Sequence, residues 1–573
     1  MLKEDLKNII AGEISSDEKE LSVYSHDASI FEVRPQLVVK PKDTEDIKRL
    51  VKWVASKKDF EPGLSLTARS GGTDMTGGAL NDSIILDFTA HLNRVLGVGD
   101  NYAITEPGVF YRDFEKETLK KNLILPSYPA SRETCTVGGM VANDSGGEKS
   151  LRYGKTENYV EELSVVLSDG GEYLLKALTP EELEQKKSQD NFEGVIYRQM
   201  HDLLESNYEL IQKAKPNVSK NSAGYALWNV LSSDSGLDPV RGKTPLKEGS
   251  SADHAFKAGR TSNGMNLTQL FTGAQGTLGL ITKIKFRLIK PDKYSRLLII
   301  FLQDLKSLGE LVNLVNESEP ESFESYDDHT FKLAVKILPD LIKRMGIGAM
   351  FKFIPDVWQV LTGGIPKMVM LVEFTGDNEN ALMDKIKKYQ KDVSDKFEIK
   401  TRITTSEKDA QKYWLIRRES FNLLRKHVKG KKTAPFIDDL IVRPEYLPEF
   451  LPKLNAILDQ YKNYMTYTIA GHPGDGNFHI IPLMDLSDSK SKQIIPELSE
   501  KVYDLVLDYH GSITAEHNDG LIRTPYLEKM YGPEVYKLFE KTKQIFDPKN
   551  IFNPHKKVGG NMEYAMQHIK KND

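Results

Sequence analysis

The chain has 573 residues, of which 39% are hydrophobic and 28% charged, and its formal net charge is -4. A chain of this length is expected to divide into two or three domains, because single cores stop growing at about 250–300 residues. The charge balance gives no indication of a nucleic-acid partner, and no apolar run is long enough to span a bilayer. The first residues lack the hydrophobic stretch of a secretory signal, so we expect a cytoplasmic protein.

Cys135 is the only cysteine in the sequence. A single thiol excludes a disulfide bond within these residues and a cysteine-ligated iron-sulfur cluster. Any onward electron transfer is therefore expected to use another component.

The first chemically informative element is a glycine-rich turn at residues 69–78. Residues 37–39, 43–56 and 64–68 predict a strand, a helix and a second strand, which leads directly into this turn. Glycines allow the backbone to approach a ligand closely, and successive amide groups can then hold a pyrophosphate. The alternative is an ordinary surface turn, since the run matches neither the dinucleotide fingerprint nor a P-loop.

Two further glycine-rich blocks follow at residues 126–147 and 273–282, and the second leads into a strand predicted at 283–288. Their small and hydroxyl side chains suit closure over a planar, polyphosphorylated ligand. Between the blocks, residues 232–266 are rich in Ser, Gly and Asp and predict a mobile loop. Residues 338–361 combine apolar and basic side chains, which indicates either contact with a membrane surface or buried helices of a cap.

Near the end of the chain, residues 464–470 and 477–483 predict two strands joined by a turn at 473–476. His472 would then lie opposite Asn477. Because side chains alternate faces along a strand, His479 would be a diagonal neighbour of His472 on the same face. The two imidazoles are therefore expected to converge.

A carboxylate such as Glu516 can complete a site of two histidines, His472 and His479, and one carboxylate. Zinc and related divalent ions accept this arrangement when they also bind substrate. The adjacent His517 would then serve to move protons. The alternative is a hairpin whose histidines only form hydrogen bonds.

These motifs resemble those of the FAD-binding oxidoreductases of the vanillyl-alcohol oxidase and PCMH type, in the branch of D-lactate, glycolate and D-2-hydroxyglutarate dehydrogenases. The resemblance covers about residues 36–558 and includes the runs 472–479, 511–520 and 546–554. It implies an α+β architecture with a PCMH-type FAD-binding domain and an α+β cap domain built on an antiparallel sheet. The domains implied are 1–290 for FAD binding, with the insertion 232–266, then 291–505 for the cap and 506–573 for a segment that returns to the flavin.

The resemblance also implies which residues bind FAD. Relatives with covalent flavin have a histidine where this chain has Thr73, so we expect FAD to be bound without a covalent bond. The implied FAD-binding residues are Ser70, Gly71, Gly72, Thr73, Asp74, Gly77, Gly78, Pro129, Thr136, Gly139, Asn143, Ser145, Gly146, Ile281 and Asn553.

By the same resemblance, His472, His479 and Glu516 would bind zinc or manganese, while His517 and Asn477 belong to the catalytic set. A histidine has a pKa suited to removing a hydroxyl proton as hydride leaves the neighbouring carbon. The family also places an arginine after a tryptophan near the substrate carboxylate, and both Arg417 and Arg418 fit this position. The alternative for these arginines is a solvated salt bridge on a helix.

The implied activity is FAD-dependent oxidation of a D-2-hydroxy acid of the lactate, glycolate or 2-hydroxyglutarate class. The electron acceptor would be a separate quinone, flavoprotein or iron-sulfur protein; homo-oligomerisation and peripheral contact with the inner face of the membrane stay open. Two alternatives also stay open, an FAD-binding subunit of an electron-transfer complex and a flavin oxidase that uses oxygen. Three departures from the family pattern leave the particular acid open: no lysine before Asp438, Gln275 in place of glutamate, and Asn518 in place of glycine.

Overall fold

The computed structural model describes residues 2–231, 264–328, 330–332, 365–427 and 430–570, with the backbone alone for 418–427. The insertion predicted at 232–266 therefore lies outside the described residues except for its last three, and the segment 338–361 lies wholly outside them. Met265–Asn266 forms a strand that pairs with Ala177–Leu178, so the prediction that the loop extends to Asn266 is wrong. Because Met265 and Asn266 each pair with a residue of the neighbouring strand, they belong to a strand and not to the loop.

Eighteen strands occur in the described part of the chain. In chain order, β1 to β18 are Glu13–Ser15, Leu37–Lys40, Leu66–Arg69, Ile84–Asp87, Val95–Val98, Tyr102–Thr105, Val160–Val166, Glu172–Leu178, Met265–Asn266, Leu280–Arg287, Tyr294–Leu302, Ser322–Asp327, Met368–Gly376, Lys400–Ile403, Lys432–Thr433, Leu440–Ile441, Met465–His472 and Asn477–Met484.

The helices of the described residues are numbered in the same way. In chain order, α1 to α18 are Leu2–Leu6, Glu18–Tyr24, Thr44–Lys57, Tyr111–Leu119, Val137–Asn143, Ser150–Tyr153, Pro180–Lys187, Phe192–Ser206, Tyr208–Ala214, Thr268–Phe271, Leu308–Glu317, Glu379–Phe397, Glu407–His427, Leu447–Asp459, Ser489–Asp508, Gly520–Arg523, Leu527–Phe546 and Met562–Gln567. Short 3-10 helices occupy Thr156–Asn158, Leu227–Asn229, Pro444–Tyr446 and Thr524–Tyr526. Among the described residues, no helix is both long enough and apolar enough to cross a membrane.

Contacts divide the chain into two compact units. Unit 1 comprises Met1–Gly147, Gly154–Pro291 and Thr514–Lys570, whereas the described part of unit 2 comprises Glu148–Tyr153 and Asp292–Ile513. Two details differ from the boundaries implied by the sequence: unit 2 ends at Ile513 rather than at residue 505, and it includes Glu148–Tyr153. Ion pairs contribute to the second difference, since Lys149 and Arg152 both pair with the buried Glu321 of unit 2.

Unit 1 contains two sheets in its described residues. The smaller has the order β1-β2-β4-β3, with β4 parallel to both β2 and β3, and the larger is antiparallel in the order β5-β6-β10-β7-β8-β9. Helix α3 begins because the Asp43 side chain accepts a hydrogen bond from the amide of Asp46. Its apolar positions recur at helical spacing and pack against the parallel strands in one core, which positions the turn after β3.

Unit 2 is built on an antiparallel sheet with the described order β14-β11-β13-β12-β17-β18-β15, and β16 also pairs with β18. Helix α13 packs on this sheet through Tyr413, Trp414 and Ile416, which share a core with residues of β11, β12 and β13. These three residues therefore lie on the face of α13 that contacts the sheet.

The elements predicted near the first glycine turn are confirmed to within two residues at each end, since β2, α3 and β3 occupy Leu37–Lys40, Thr44–Lys57 and Leu66–Arg69. The strand predicted at 283–288 begins earlier, at Leu280. Backbone pairing of Leu280 and Ile281 with β7 extends it into the third glycine block.

Candidate functional site

The first glycine-rich turn follows β3 in unit 1. Within the described residues, the backbone amides of Gly71, Gly72 and Thr73 donate no hydrogen bond to the protein. Gly72 has a φ of +64°, which favours glycine, and a Cβ at Gly71 would lie 2.3 Å from the Thr134 carbonyl oxygen. Successive amides without protein partners form the kind of concave anion site that suits a pyrophosphate, so this turn fits the predicted FAD.

The Asp74 side chain holds the shape of the same turn. Its carboxylate accepts hydrogen bonds from the Gly78 amide and from the Thr76 hydroxyl, the latter at 2.9 Å. Burial raises the pKa of Asp74, while the hydrogen bonds from Gly78 and Thr76 and, to a smaller extent, the nearby His517 oppose this rise. His517 therefore interacts electrostatically with the turn, within unit 1.

The second glycine-rich block is tied to the first by a hydroxyl pair. Thr136 caps helix α5 by accepting from the Gly139 amide at 3.1 Å, and its own hydroxyl donates to the Ser70 hydroxyl at 2.6 Å. A Cβ at Gly139 would approach the Ser70 oxygen to 3.0 Å, so glycine permits this close packing. Two blocks that are far apart in sequence thus meet in one place.

The third block joins them through Asn553. The Asn553 amide donates to the carbonyls of Gly78 and Gln275 at 2.8 and 2.6 Å, and its oxygen accepts from the Thr67 hydroxyl at 2.9 Å. Asn553 therefore holds the first and third blocks together, and its direct contact with FAD stays a prediction. Further residues predicted to bind FAD also lie in unit 1: Gly77, Pro129, Asn143, Ser145, Gly146 and Ile281.

Burial shifts the pKa of two more groups near the first turn. The pKa of the Asp27 carboxyl rises to about 7, through burial and the proximity of Asp74. The pKa of Lys556 falls to about 7, also through burial. The Lys556 ammonium donates to the Leu80 carbonyl at 2.6 Å, while one oxygen of Asp27 is buried without a hydrogen bond.

Glu516 and His517 lie in a segment of unit 1 that buried groups hold in place. Lys220 approaches the Glu516 carboxylate to 3.3 Å, and both side chains are buried. The Asn143 amide, from the second block, donates to the Glu516 carbonyl at 3.0 Å. Lys220 was not identified from the sequence, because an isolated lysine gives no sign of a partner 296 residues away.

Asn518 explains one departure from the family pattern. Its φ is 71°, a conformation that asparagine tolerates better than most residues other than glycine. Its side-chain amide donates to the carbonyls of Asn143 and Gly273 at 3.1 and 2.9 Å. Asparagine thus occupies the position expected for glycine and also links the second and third blocks.

The histidine hairpin predicted from the sequence is confirmed in unit 2. Strands β17 and β18 pair His472 with Asn477 and Ala470 with His479. The two histidine rings lie 5.2 Å apart between centroids and are nearly perpendicular. The imidazoles therefore converge on one face of the hairpin.

Each of these histidines meets a carboxylate that was not singled out as a site residue. His472 Nδ1 bonds to the buried Glu324 of β12, and His479 Nδ1 lies 3.2 Å from Asp438 Oδ1. Metal-binding histidines commonly present one ring nitrogen to a carboxylate in this way, which fixes the tautomer and the orientation of the ring. His472 and His479 therefore fit a metal bound through Nε2.

Asn477, predicted to belong to the catalytic set, is buried next to this pair. Its amide donates to Asp439 Oδ1 at 3.1 Å and to the Leu440 carbonyl at 3.0 Å. Asp439 has a φ of 66°, so the backbone is strained where it presents this carboxylate. The signal in the sequence was the acidic pair Asp438-Asp439 directly before the apolar strand β16.

Arg417 also meets Glu324. Its Nε and Nη2 atoms both lie 3.0 Å from Glu324 Oε2, and the pair is largely buried. Arg417 does form a salt bridge, as the alternative held, but this one is largely buried and its partner lies on β12 rather than on helix α13. The side chain of Arg418 lies outside the described part of the structure.

The predicted metal ligands divide between the units, with His472 and His479 in unit 2 and Glu516 in unit 1. The carboxylate partners of the histidines support the first two as ligands. The complete set, and the identity of the metal, stay predictions.

Comparison with known families identifies two domains in the chain. Residues 35–174 match an FAD binding domain, and residues 291–557 match the C-terminal domain of FAD linked oxidases. The chain belongs to the PCMH-type FAD-linked oxidoreductases. The FAD-binding, α+β architecture expected from the sequence is thereby confirmed for this chain.

Curated relatives of this chain include a D-2-hydroxyglutarate dehydrogenase of Pseudomonas putida, 27% identical over 95% of this chain and 50% of that protein. A D-lactate dehydrogenase of Archaeoglobus fulgidus is 25% identical over 91% of each chain. The chain thus spans about half the length of the first of these relatives and most of the second.

The fold is also similar to that of 4-ethylphenol oxidase from Gulosibacter chungangensis. The two structures align with a TM-score of 0.64 over 96% of this chain and 95% of that chain, at 16% identity. This similarity supports the PCMH-type fold alone.

Proposed function

We propose that this oxidoreductase is an FAD-dependent dehydrogenase that oxidises a D-2-hydroxy acid to the 2-oxo acid. The observation that carries the proposal is that unit 1 combines a candidate base with a candidate FAD-binding turn. His517, the candidate base, directly follows Glu516, whose carbonyl accepts a hydrogen bond from Asn143 of the second glycine block, and the amides of the first glycine turn suit the FAD pyrophosphate. The substrate class is inferred from two relatives, which are named as dehydrogenases of D-2-hydroxyglutarate and of D-lactate.

The chemistry assigns a role to each group. Bound FAD would supply the hydride acceptor, and a divalent ion held by His472 and His479 would lower the pKa of the substrate hydroxyl. His517 removes the hydroxyl proton, for which an imidazole has a suitable pKa. Arg417 binds the substrate carboxylate, because its planar guanidinium pairs with a carboxylate through two parallel hydrogen bonds.

Electrons would leave the reduced protein through a separate acceptor. Cys135, the only thiol, is buried, and burial raises its pKa to about 12. A thiol in this state is a poor nucleophile and a poor metal ligand. We therefore assign the acceptor role to a quinone, a flavoprotein or an iron-sulfur protein outside this chain.

A screen of substrates tests the proposal. Purified FAD-loaded protein would be mixed with D and L forms of lactate and 2-hydroxyglutarate, and with glycolate, in the presence of an artificial electron-accepting dye. We expect the dye to be reduced with one D acid and not with its L form. Failure with every acid would contradict a self-sufficient dehydrogenase and favour a subunit that requires a partner, whereas peroxide formed without dye would indicate an oxidase.

A further inference from the structure

Glu324 connects two groups that the proposed function treats separately. One oxygen of its carboxylate bonds to Nδ1 of His472, and the other lies 3.0 Å from both Nε and Nη2 of Arg417. A single side chain therefore touches a candidate metal ligand and the candidate substrate clamp.

The fold accounts for this arrangement. Strand β12 pairs with β17 through Ser325 and Gly471, which brings Glu324 next to His472. Helix α13 packs on the same sheet through Trp414 and Ile416, and the next residue, Arg417, contacts the second oxygen of the Glu324 carboxylate. Both contacts join residues far apart in sequence, so they depend on the tertiary structure of unit 2.

The burial of Glu324 makes its charged and hydrogen-bonding partners important for its stability. Glu324 is only 2% exposed, and a buried carboxylate is costly unless cations and hydrogen-bond donors compensate it. Arg417 supplies the compensating charge, and His472 supplies a ring N–H. When a substrate carboxylate also pairs with Arg417, the compensation that Arg417 gives to Glu324 weakens, and the hydrogen bond from His472 becomes more important to Glu324. A stronger hydrogen bond at Nδ1 makes the other ring nitrogen a better metal ligand.

We propose that Glu324 is a positioning residue that couples binding of the substrate carboxylate at Arg417 to metal affinity at His472. This inference rests on the proposed function, since it requires both a metal and a carboxylate substrate. It predicts that the substrate and the metal bind cooperatively: substrate at Arg417 strengthens the bond from Glu324 to His472, and metal at His472 strengthens the same bond and so loosens the hold of Glu324 on Arg417.

The chain offers a matched control for this role. His479 meets Asp438 as His472 meets Glu324, and Glu324 is the carboxylate that also forms an ion pair with Arg417. Glu324→Gln and Asp438→Asn each replace a carboxylate by the amide of the same shape. Both variants should lower metal affinity about 10- to 100-fold, the usual effect of removing such a partner. Only Glu324→Gln should also alter the response to substrate.

The measurement is the dissociation constant of Zn²⁺ in FAD-loaded protein that has been freed of metal. It would be made with and without saturating 2-oxo acid, using pyruvate, glyoxylate and 2-oxoglutarate in turn as ligands that the oxidised protein cannot oxidise. In the wild type and in Asp438→Asn, the best of these acids should tighten Zn²⁺ binding by a similar factor. In Glu324→Gln the factor should fall towards one, and the KM for the hydroxy acid should rise.

Equal factors in Glu324→Gln and Asp438→Asn would overturn the coupling while leaving the dehydrogenase proposal intact. A wild type that binds Zn²⁺ but none of the oxo acids would instead overturn the substrate class, and the coupling with it. If Glu324→Gln does not fold, Glu324→Asp keeps the charge but withdraws the carboxylate by one methylene. The coupling factor should fall in this variant too, and an unchanged factor would overturn the proposal.

Discussion

The ammonium of Lys220 lies 3.3 Å from the carboxylate of Glu516, and both side chains are buried. Breaking a buried ion pair by removing one partner leaves an uncompensated charge and typically costs about 3–5 kcal/mol. We expect Lys220→Met to lower the melting temperature of the protein clearly. We expect the double variant Lys220→Met/Glu516→Gln to recover most of that loss, as measured by thermal unfolding. A double variant no more stable than Lys220→Met alone would show that the pair is not what stabilises this segment.

Gly71 should be required for flavin binding. An alanine Cβ would lie 2.3 Å from the Thr134 carbonyl oxygen, so the turn or its neighbour must shift. Overpacking of this kind costs about 1–3 kcal/mol. We expect Gly71→Ala to weaken FAD binding roughly 10-fold or more, as measured by flavin content and by titration of FAD into the apoprotein. Gly97→Ala is the control, because a Cβ at Gly97 meets nothing within 4 Å. Equal flavin binding in the two variants would refute the assignment of this turn to FAD.

Asp27 should make the stability of unit 1 depend on pH. Burial and the neighbouring Asp74 raise its pKa from 3.8 to about 7 in the folded state. Between these two pKa values, the folded state therefore holds a proton that the unfolded state has released. The stability that this proton gives to the folded state is lost as pH rises through about 7. Between pH 5.5 and pH 8, we expect the melting temperature of the wild type to fall by a few °C more than that of Asp27→Asn. Parallel curves for the two proteins would mean that Asp27 is already ionised in the folded state.

His517 should control the rate of flavin reduction. Removing a general base typically slows the chemical step about 100-fold or more. We expect His517→Ala to retain flavin but to be reduced at least that much more slowly by the hydroxy acid in anaerobic rapid mixing. His201→Ala, on helix α8, serves as the control and should react at the wild-type rate. Near-normal reduction of His517→Ala would remove this residue from the mechanism.

The sequence predicted well those parts of the site that depend on local pattern. The histidine hairpin follows from alternation along two strands and a four-residue turn, and its register pairs His472 with Asn477 as expected. Helix α3 follows from a capping aspartate and the spacing of its apolar residues. Both features require information from fewer than about twenty consecutive residues.

The sequence did not predict the charged partners that orient the site. Glu324 is separated from His472 by 148 positions and Lys220 from Glu516 by 296, and such pairs leave no local periodicity. Asp438 was visible as half of an acidic pair, but its contact with His479 depends on the pairing of β16 with β18. Tertiary structure alone decides which buried charges meet.

One measurement tests the central claim most directly. FAD-loaded protein would be titrated anaerobically with the hydroxy acid that the screen identifies, while the visible absorbance of oxidised flavin and the 2-oxo acid formed are both quantified. The account predicts that flavin bleaches completely and that one molecule of 2-oxo acid forms for each FAD reduced, because a single hydride passes from one to the other. Bleaching without stoichiometric 2-oxo acid, or 2-oxo acid formed while the flavin stays oxidised, would contradict it.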